Sequence, residues 1–169
     1  MEKEFLLIKK YSKNNDKILS IGSGIGGLEI LMSKKLDSHV TFIEKNYISK
    51  KIKYGWDKMN LEAYNNLNLL KNFVLDNGIK KNKFAIYDFD QDKLPDTKFD
   101  LIVSLYSLDY HYEFELYKDY LNKVMKPETI LIFDTIRPDY FKNIFKSVEI
   151  IKQDFDTVHK SKRIICKNQ

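Results

Sequence analysis

Four of the chain's six glycines fall in one stretch, Gly22-Ser23-Gly24-Ile25-Gly26-Gly27, between a short apolar run and an amphipathic one. The run before it, KILSI (17–21), stops at glycine and reads as a buried strand. Beyond it, from residue 26 to 36, Leu28, Leu31, Met32 and Leu36 recur at helical spacing and share a face. A strand that turns this tightly into a helix needs positive φ and close backbone approach, and glycine supplies both. The chain is thereby committed to a βα unit whose helix N-terminus offers free N–H groups to polar or anionic atoms.

Downstream, HVTFI (39–43) is β-branched and aromatic, a second strand, and Glu44 follows it. A carboxylate about 20 residues after such a loop can accept hydrogen bonds from both ribose hydroxyls of an adenosine cofactor. The sequence therefore predicts cofactor contacts from Gly22, Ser23, Gly24, Gly26 and Glu44, with Lys45 beside them.

The alternation continues. Residues 4–14 fit a short helix carrying Phe5, Ile8 and Tyr11. Leu61, Tyr64, Leu67, Leu70 and Val74 predict a helix from about residue 60 that stops at Asn77-Gly78. Strands are expected at 84–87, 99–105 and 129–134, helices at 113–125 (closed by Pro127) and 140–145, and final strands at 147–152 and 163–167. The last two are joined by a polar loop without a helix, so they should pair antiparallel. The predicted fold class is α/β: a three-layer sandwich on a mostly parallel seven-stranded sheet that ends in an antiparallel β-hairpin. A single domain over 1–169 is expected, with 1–16 as an N-terminal helical extension.

Composition narrows the function classes. With 43% apolar and 14% aromatic residues the chain is globular in character, and no apolar run nears the roughly 20 residues of a membrane span. One cysteine, Cys166, excludes an internal disulfide and points to a reducing cytoplasm. The net charge of +5 is almost all lysine, but acidic residues are interleaved with it. Nucleic acid is therefore not favoured over a small-molecule or glycan-linked acceptor. No H-x-x-x-H, C-x-x-C or clustered carboxylate pattern appears, and no metal is expected.

Gly22, Gly24 and Gly27 also satisfy G-x-G-x-x-G, a dinucleotide fingerprint. Against a dinucleotide stand the closing hairpin and the lack of room for a second, substrate domain. The segments ILSIGSGIGG (18–27), TFIEKN (41–46), YDFD (87–90), FDLIVSLYSL (99–108) and TILIFD (129–134) follow in an order that resembles the class I, Rossmann-like S-adenosylmethionine-dependent methyltransferases. The resemblance covers roughly residues 15–167. It implies that Gly22, Gly24 and Gly26 line the methionine and ribose portions and that Glu44 binds the ribose diol. It also implies that Asp88 and Phe89 contact adenine, and that Ser104, Leu105 and Tyr106 stand beside the sulfonium. One position departs: the family usually has Asp or Glu where this chain has Ser20.

The wall after the fourth strand, Ser107-Leu108-Asp109-Tyr110-His111-Tyr112, is the expected acceptor side, since ligands sit at the carboxyl edge of open α/β sheets. His111 is the candidate general base, with Tyr110 and Asp109 as further catalytic candidates and Tyr112 and Arg137 as acceptor contacts. Residues 47–60, rich in lysine and aromatics, read as an amphipathic helix or as a cover for the cofactor. SLYSLDYHYEFELY (104–117) resembles small methyltransferases of bacterial surface-polysaccharide clusters, which implies O-methylation of a sugar or phosphoramidate group. A non-catalytic cofactor-binding module and an RNA methyltransferase are the alternatives. Oligomeric state is left open.

Overall fold

The computed structural model describes residues 1–47, 55–57, 62–153 and 160–168. Its elements are α1 (Glu2–Ile8), β1 (Lys17–Ile21), α2 (Gly27–Leu36), β2 (His39–Glu44), β3 (Gly55–Asp57), β4 (Glu62–Tyr64) and α3 (Leu67–Asp76). They continue with β5 (Phe84–Asp88), β6 (Phe99–Ser104), α4 (Glu115–Val124), β7 (Met125–Thr135), α5 (Pro138–Phe141), β8 (Ser147–Gln153) and β9 (Lys162–Lys167). Seven strands form one sheet in the order β5-β2-β1-β6-β7-β9-β8. The first five are parallel, and β9 runs antiparallel to both β7 and β8. The expected hairpin is present, and its second strand lies inside the sheet while β8 takes the edge.

Alternation along the central strands builds two cores. Ile18, Val40, Phe42, Leu101, Val103 and Ile132 face α1, α2 and α3, where they meet Ile8, Met32 and Leu70. Leu19, Ile43, Ile102, Leu131 and Phe133 face the other way, onto Leu121 of α4 and Phe141 of α5. Successive strand residues point to opposite faces, so a strand buried on both sides reads as an unbroken apolar run. Strand order reverses between β1 and β6, and the carboxyl ends diverge there into a crevice.

Several element limits differ from the sequence reading. α3 begins at Leu67 rather than near residue 60, because Asn66 caps it, its side chain accepting from the N–H groups of Asn68 and Leu69. Tyr64 belongs instead to the small antiparallel pair β3–β4. The amphipathic-helix reading of 47–60 lies outside the described residues except at Tyr47 and at Gly55–Asp57, which is a strand. Met125 leaves the helix and opens β7, which passes through Pro127 by an irregularity: Phe99 pairs with Met125 while Leu101 pairs with Ile130. Pro127, which lacks an N–H, thus sits in an interruption of the ladder. α5 starts earlier than expected, with Pro138 in its first turn.

Candidate functional site

A cavity of about 340 Å³ opens at the crevice where strand order reverses. One wall is the glycine loop. Gly22, Gly24 and Gly26 have φ of +69°, +65° and +76°, a region that side-chain-bearing residues seldom adopt. Space is a second constraint at Gly22, where a Cβ would fall 1.9 Å from the Ser107 hydroxyl oxygen. The Gly22 N–H donates to the Ile43 carbonyl (3.1 Å), tying the loop to the end of β2.

Glu44 closes that end. It is buried, and its Oε1 accepts from the Ser23 N–H and from the Ser23 hydroxyl (2.7 Å). Its Oε2 accepts from the Asn65 amide (2.7 Å), which also reaches the Gly24 carbonyl (3.0 Å). Burial pushes the Glu44 carboxyl up to about 7, against the pull of those donors; the nearby Glu29 adds to the rise. Glu29, in the first turn of α2, also lines the cavity and is buried. Its Oε1 accepts from the Ser20 hydroxyl at 2.6 Å, and burial again raises its carboxyl.

Beyond Glu44, strand register sets Asp88 beside it, and the Phe89 N–H donates to the Glu44 carbonyl (2.7 Å). The Asp88 side chain accepts from the Asp90 N–H (3.0 Å). The Phe89 ring packs on Tyr117 with centroids 4.6 Å apart. Lys45 pairs with Asp90 (3.0 Å) and lies 5.2 Å from the Phe89 centroid and 5.3 Å from that of Tyr112.

The facing wall is the loop after β6. Tyr106 and Asp109 have φ of +56° and +59°, strained values for residues with side chains. The surrounding bonds hold them. The Ser104 hydroxyl donates to the Ile21 carbonyl (2.7 Å) and accepts from the Leu108 N–H (2.9 Å), pinning this loop to the end of β1. The Ser107 carbonyl accepts from the N–H groups of Tyr110 (3.1 Å) and His111 (2.9 Å). Asp109 is almost wholly buried and takes the Arg137 guanidinium (Nε–Oδ1 3.1 Å) and the Thr135 hydroxyl (2.6 Å). Arg137 also reaches Glu115 at 3.1 Å. Behind the loop, the fully buried Arg163 side chain binds Asp134 (Nη2–Oδ2 2.9 Å) and Glu4 of α1, and Asp134 accepts from the Tyr106 N–H (3.1 Å).

Of the predicted site residues, the fold gathers Gly22, Ser23, Gly24, Glu44, Lys45, Leu105, Tyr106, His111 and Tyr112 around one cavity. Gly26, Asp88, Phe89, Ser104, Asp109, Tyr110 and Arg137 stand behind or beside that lining. Tyr110 packs edge-on against both Tyr106 and His111. Sequence reasoning passed over Glu4, Glu29, Asn65 and Tyr117, which also line the cavity. Glu29 carried a readable signal, an acid in the first turn after a glycine loop. Glu4 carried none, because the residues that it meets are far away in the chain.

Among the described residues no helix is long and apolar enough to cross a membrane. No curated protein matches the sequence. Solved structures share the fold at low identity. The Pyrococcus furiosus methyltransferase superposes over 99% of this chain and 82% of its own (TM-score 0.60, 17% identity). YjhP from E. coli covers 80% of this chain (TM-score 0.55, 15% identity), which spans 49% of that protein. A SAM-dependent methyltransferase from Thiobacillus denitrificans, in complex with S-adenosyl-L-homocysteine, covers 91% of this chain and 50% of its own (TM-score 0.53, 11% identity). This chain thus spans about half the length of the latter two. The profile of the methyltransferase domain family matches residues 1–160, and the chain belongs to that family of enzymes.

Proposed function

We propose that the chain transfers a methyl group from S-adenosylmethionine to an oxygen of a small acceptor, a sugar or phosphoramidate group of surface-polysaccharide biosynthesis, in the cytoplasm. The observation that carries this reading is the sharing of one cavity by the glycine loop, Glu44 and His111. The residues fit an adenosyl ligand. The loop leaves no space for a side chain at Gly22, and Glu44 is a buried acceptor bonded to neutral donors. The cavity volume falls in the range of about 300–1,000 Å³ usual for small-molecule sites.

When bound, S-adenosylmethionine supplies an electrophilic methyl group on a sulfonium. Gly22, Ser23 and Gly24 cradle the methionyl and ribose portions, Gly26 turns the loop into α2 behind them, and Glu44 takes the ribose hydroxyls, with Lys45 at its side. Asp88 and Phe89 bound the adenine. Ser104, through its two hydrogen bonds, sets Leu105 and Tyr106 at the reacting side. His111 accepts the proton that the acceptor hydroxyl must lose, a contribution of about 10²–10⁴ in rate for a positioned base. Tyr110 buttresses the His111 ring, and Tyr112 offers an aromatic face to the acceptor. Asp109 and Arg137 hold the loop: Arg137 could grip an anionic acceptor only by leaving Asp109 and Glu115. The likeness of residues 104–117 to surface-polysaccharide methyltransferases supports the sugar or phosphoramidate acceptor.

Calorimetric titration with S-adenosylhomocysteine tests the cofactor site, and absence of heat at millimolar ligand would sink the reading. Gly24→Val should abolish that binding, since its φ of +65° is hostile to a β-branched residue. His111→Ala should lower turnover about 100-fold or more with cofactor affinity nearly intact. An equal loss of both would make His111 structural.

A further inference from the structure

Three carboxylates line the cavity: Glu4 is paired with Lys152 and Arg163, whereas among the described residues Glu29 and Glu44 are bonded to uncharged partners. Glu29 accepts from the Ser20 hydroxyl, and Glu44 accepts from Ser23 and Asn65. Lys45 lines the same cavity, but its ammonium is bonded to Asp90. Both of these acids are about 5% exposed or less, and Glu29 raises the cost of ionising Glu44 through space. Burying two like charges without a counter-charge is unfavourable, and a ligand that brings positive charge relieves it. Glu44 sits at the ribose end, by the loop and β2. Glu29 sits on α2, past the glycines, where it meets the strand residue Ser20.

We propose that Glu29 receives the α-ammonium of the cofactor's methionyl end, so that α2 supplies the carboxylate that Ser20, on β1, does not. This inference rests on the cofactor reading above. The ammonium is the cationic group that S-adenosylmethionine and S-adenosylhomocysteine share, and the pairing is a charge-assisted hydrogen bond in a water-poor site. The Ser20 hydroxyl then serves to aim Glu29: at 2.6 Å it holds one oxygen and leaves the other for the ligand.

The experiment compares two ligands by calorimetry. S-adenosylhomocysteine carries the amino acid end, whereas 5′-methylthioadenosine has the ribose and adenine without it. Glu29→Gln should weaken S-adenosylhomocysteine about 10- to 100-fold and leave 5′-methylthioadenosine within about twofold. Glu44→Gln should weaken both. The double variant Ser20→Asp/Glu29→Gln, which returns the acid to the strand, should recover most of the preference for S-adenosylhomocysteine. Should Glu29→Gln fail to fold, that double variant carries the test, and equal affinity for the two ligands overturns the proposal. An equal loss of both ligands in a folded Glu29→Gln protein, or no loss of either, also overturns it. If the unsubstituted protein binds neither ligand, the cofactor reading itself fails, and this inference with it.

Discussion

The two walls of the cavity treat their carboxylates in opposite ways. On the cofactor side, Glu29 and Glu44 are buried against hydroxyls and amides, and burial raises both. On the side of α1 and the loop after β6, acids meet guanidinium and ammonium groups. Burial pushes Glu4 up, but hydrogen bonds and charge from Lys152 and Arg163 hold it below the usual carboxylate range. Glu115 is held down by the Tyr140 hydroxyl and by Arg137. One wall is electrostatically complete without a ligand and the other is not. The incomplete wall gives up some stability and gains a place for a cation, an exchange often found at binding sites.

That contrast can be broken most directly at Arg163. Arg163→Ala leaves Asp134 buried without its counter-charge and Glu4 with Lys152 alone, and should cost about 3–5 kcal/mol in urea unfolding. A cost under about 1 kcal/mol would mean that this wall is not held by its charges.

Next in size is the pH dependence of the incomplete wall. A carboxyl raised from 4.5 to about 7 in the fold keeps its proton while the unfolded chain releases it. Stability should therefore fall as pH rises from about 4.5 to 7 and level off above, by about 3 kcal/mol for Glu44 alone. Glu44→Gln should remove that part of the slope and stabilise the ligand-free protein at pH 8, even as it loses cofactor. Glu29 contributes a slope of the same sign, so some should remain. Glu4 works the other way: its contribution is present above its unfolded value and is lost as pH falls through its lowered one. Melting curves from pH 3 to 9 should show both limbs, and a flat profile above pH 4.5 would contradict the contrast.

A smaller effect is expected at Arg137. It is partly exposed and its partner Asp109 retains Thr135, so Arg137→Ala should cost about 1–2 kcal/mol and leave S-adenosylhomocysteine affinity unchanged. The smallest belongs to Glu115, an exposed acid: Glu115→Gln should change stability by less than about 1 kcal/mol. A large loss of cofactor affinity in either variant would join the two walls into one unit.

What could be read beforehand follows the same division. The glycine loop, Glu44 and the closing hairpin were legible because each depends on neighbours in sequence or on the period of a single element. Ser23 and Glu44 lie 21 positions apart and meet simply because β1 and β2 pair in parallel. The capping of α3 by Asn66, and so its late start, was missed because apolar spacing carried helix periodicity back through Tyr64, which β3 claims as a strand partner.

The residues alone determined a βα unit, with glycines at positive φ in its turn and a carboxylate at the end of the second strand. Tertiary structure decided which charges would meet. Arg163 and Glu4 are 159 positions apart, and no local pattern says that an N-terminal helix and a C-terminal strand share an ion pair. Likewise Ser20 read as a missing acid until folding set it against Glu29. Electrostatic pairing depends on distance in space, and in a sheet whose strand order departs from chain order that distance is set by topology.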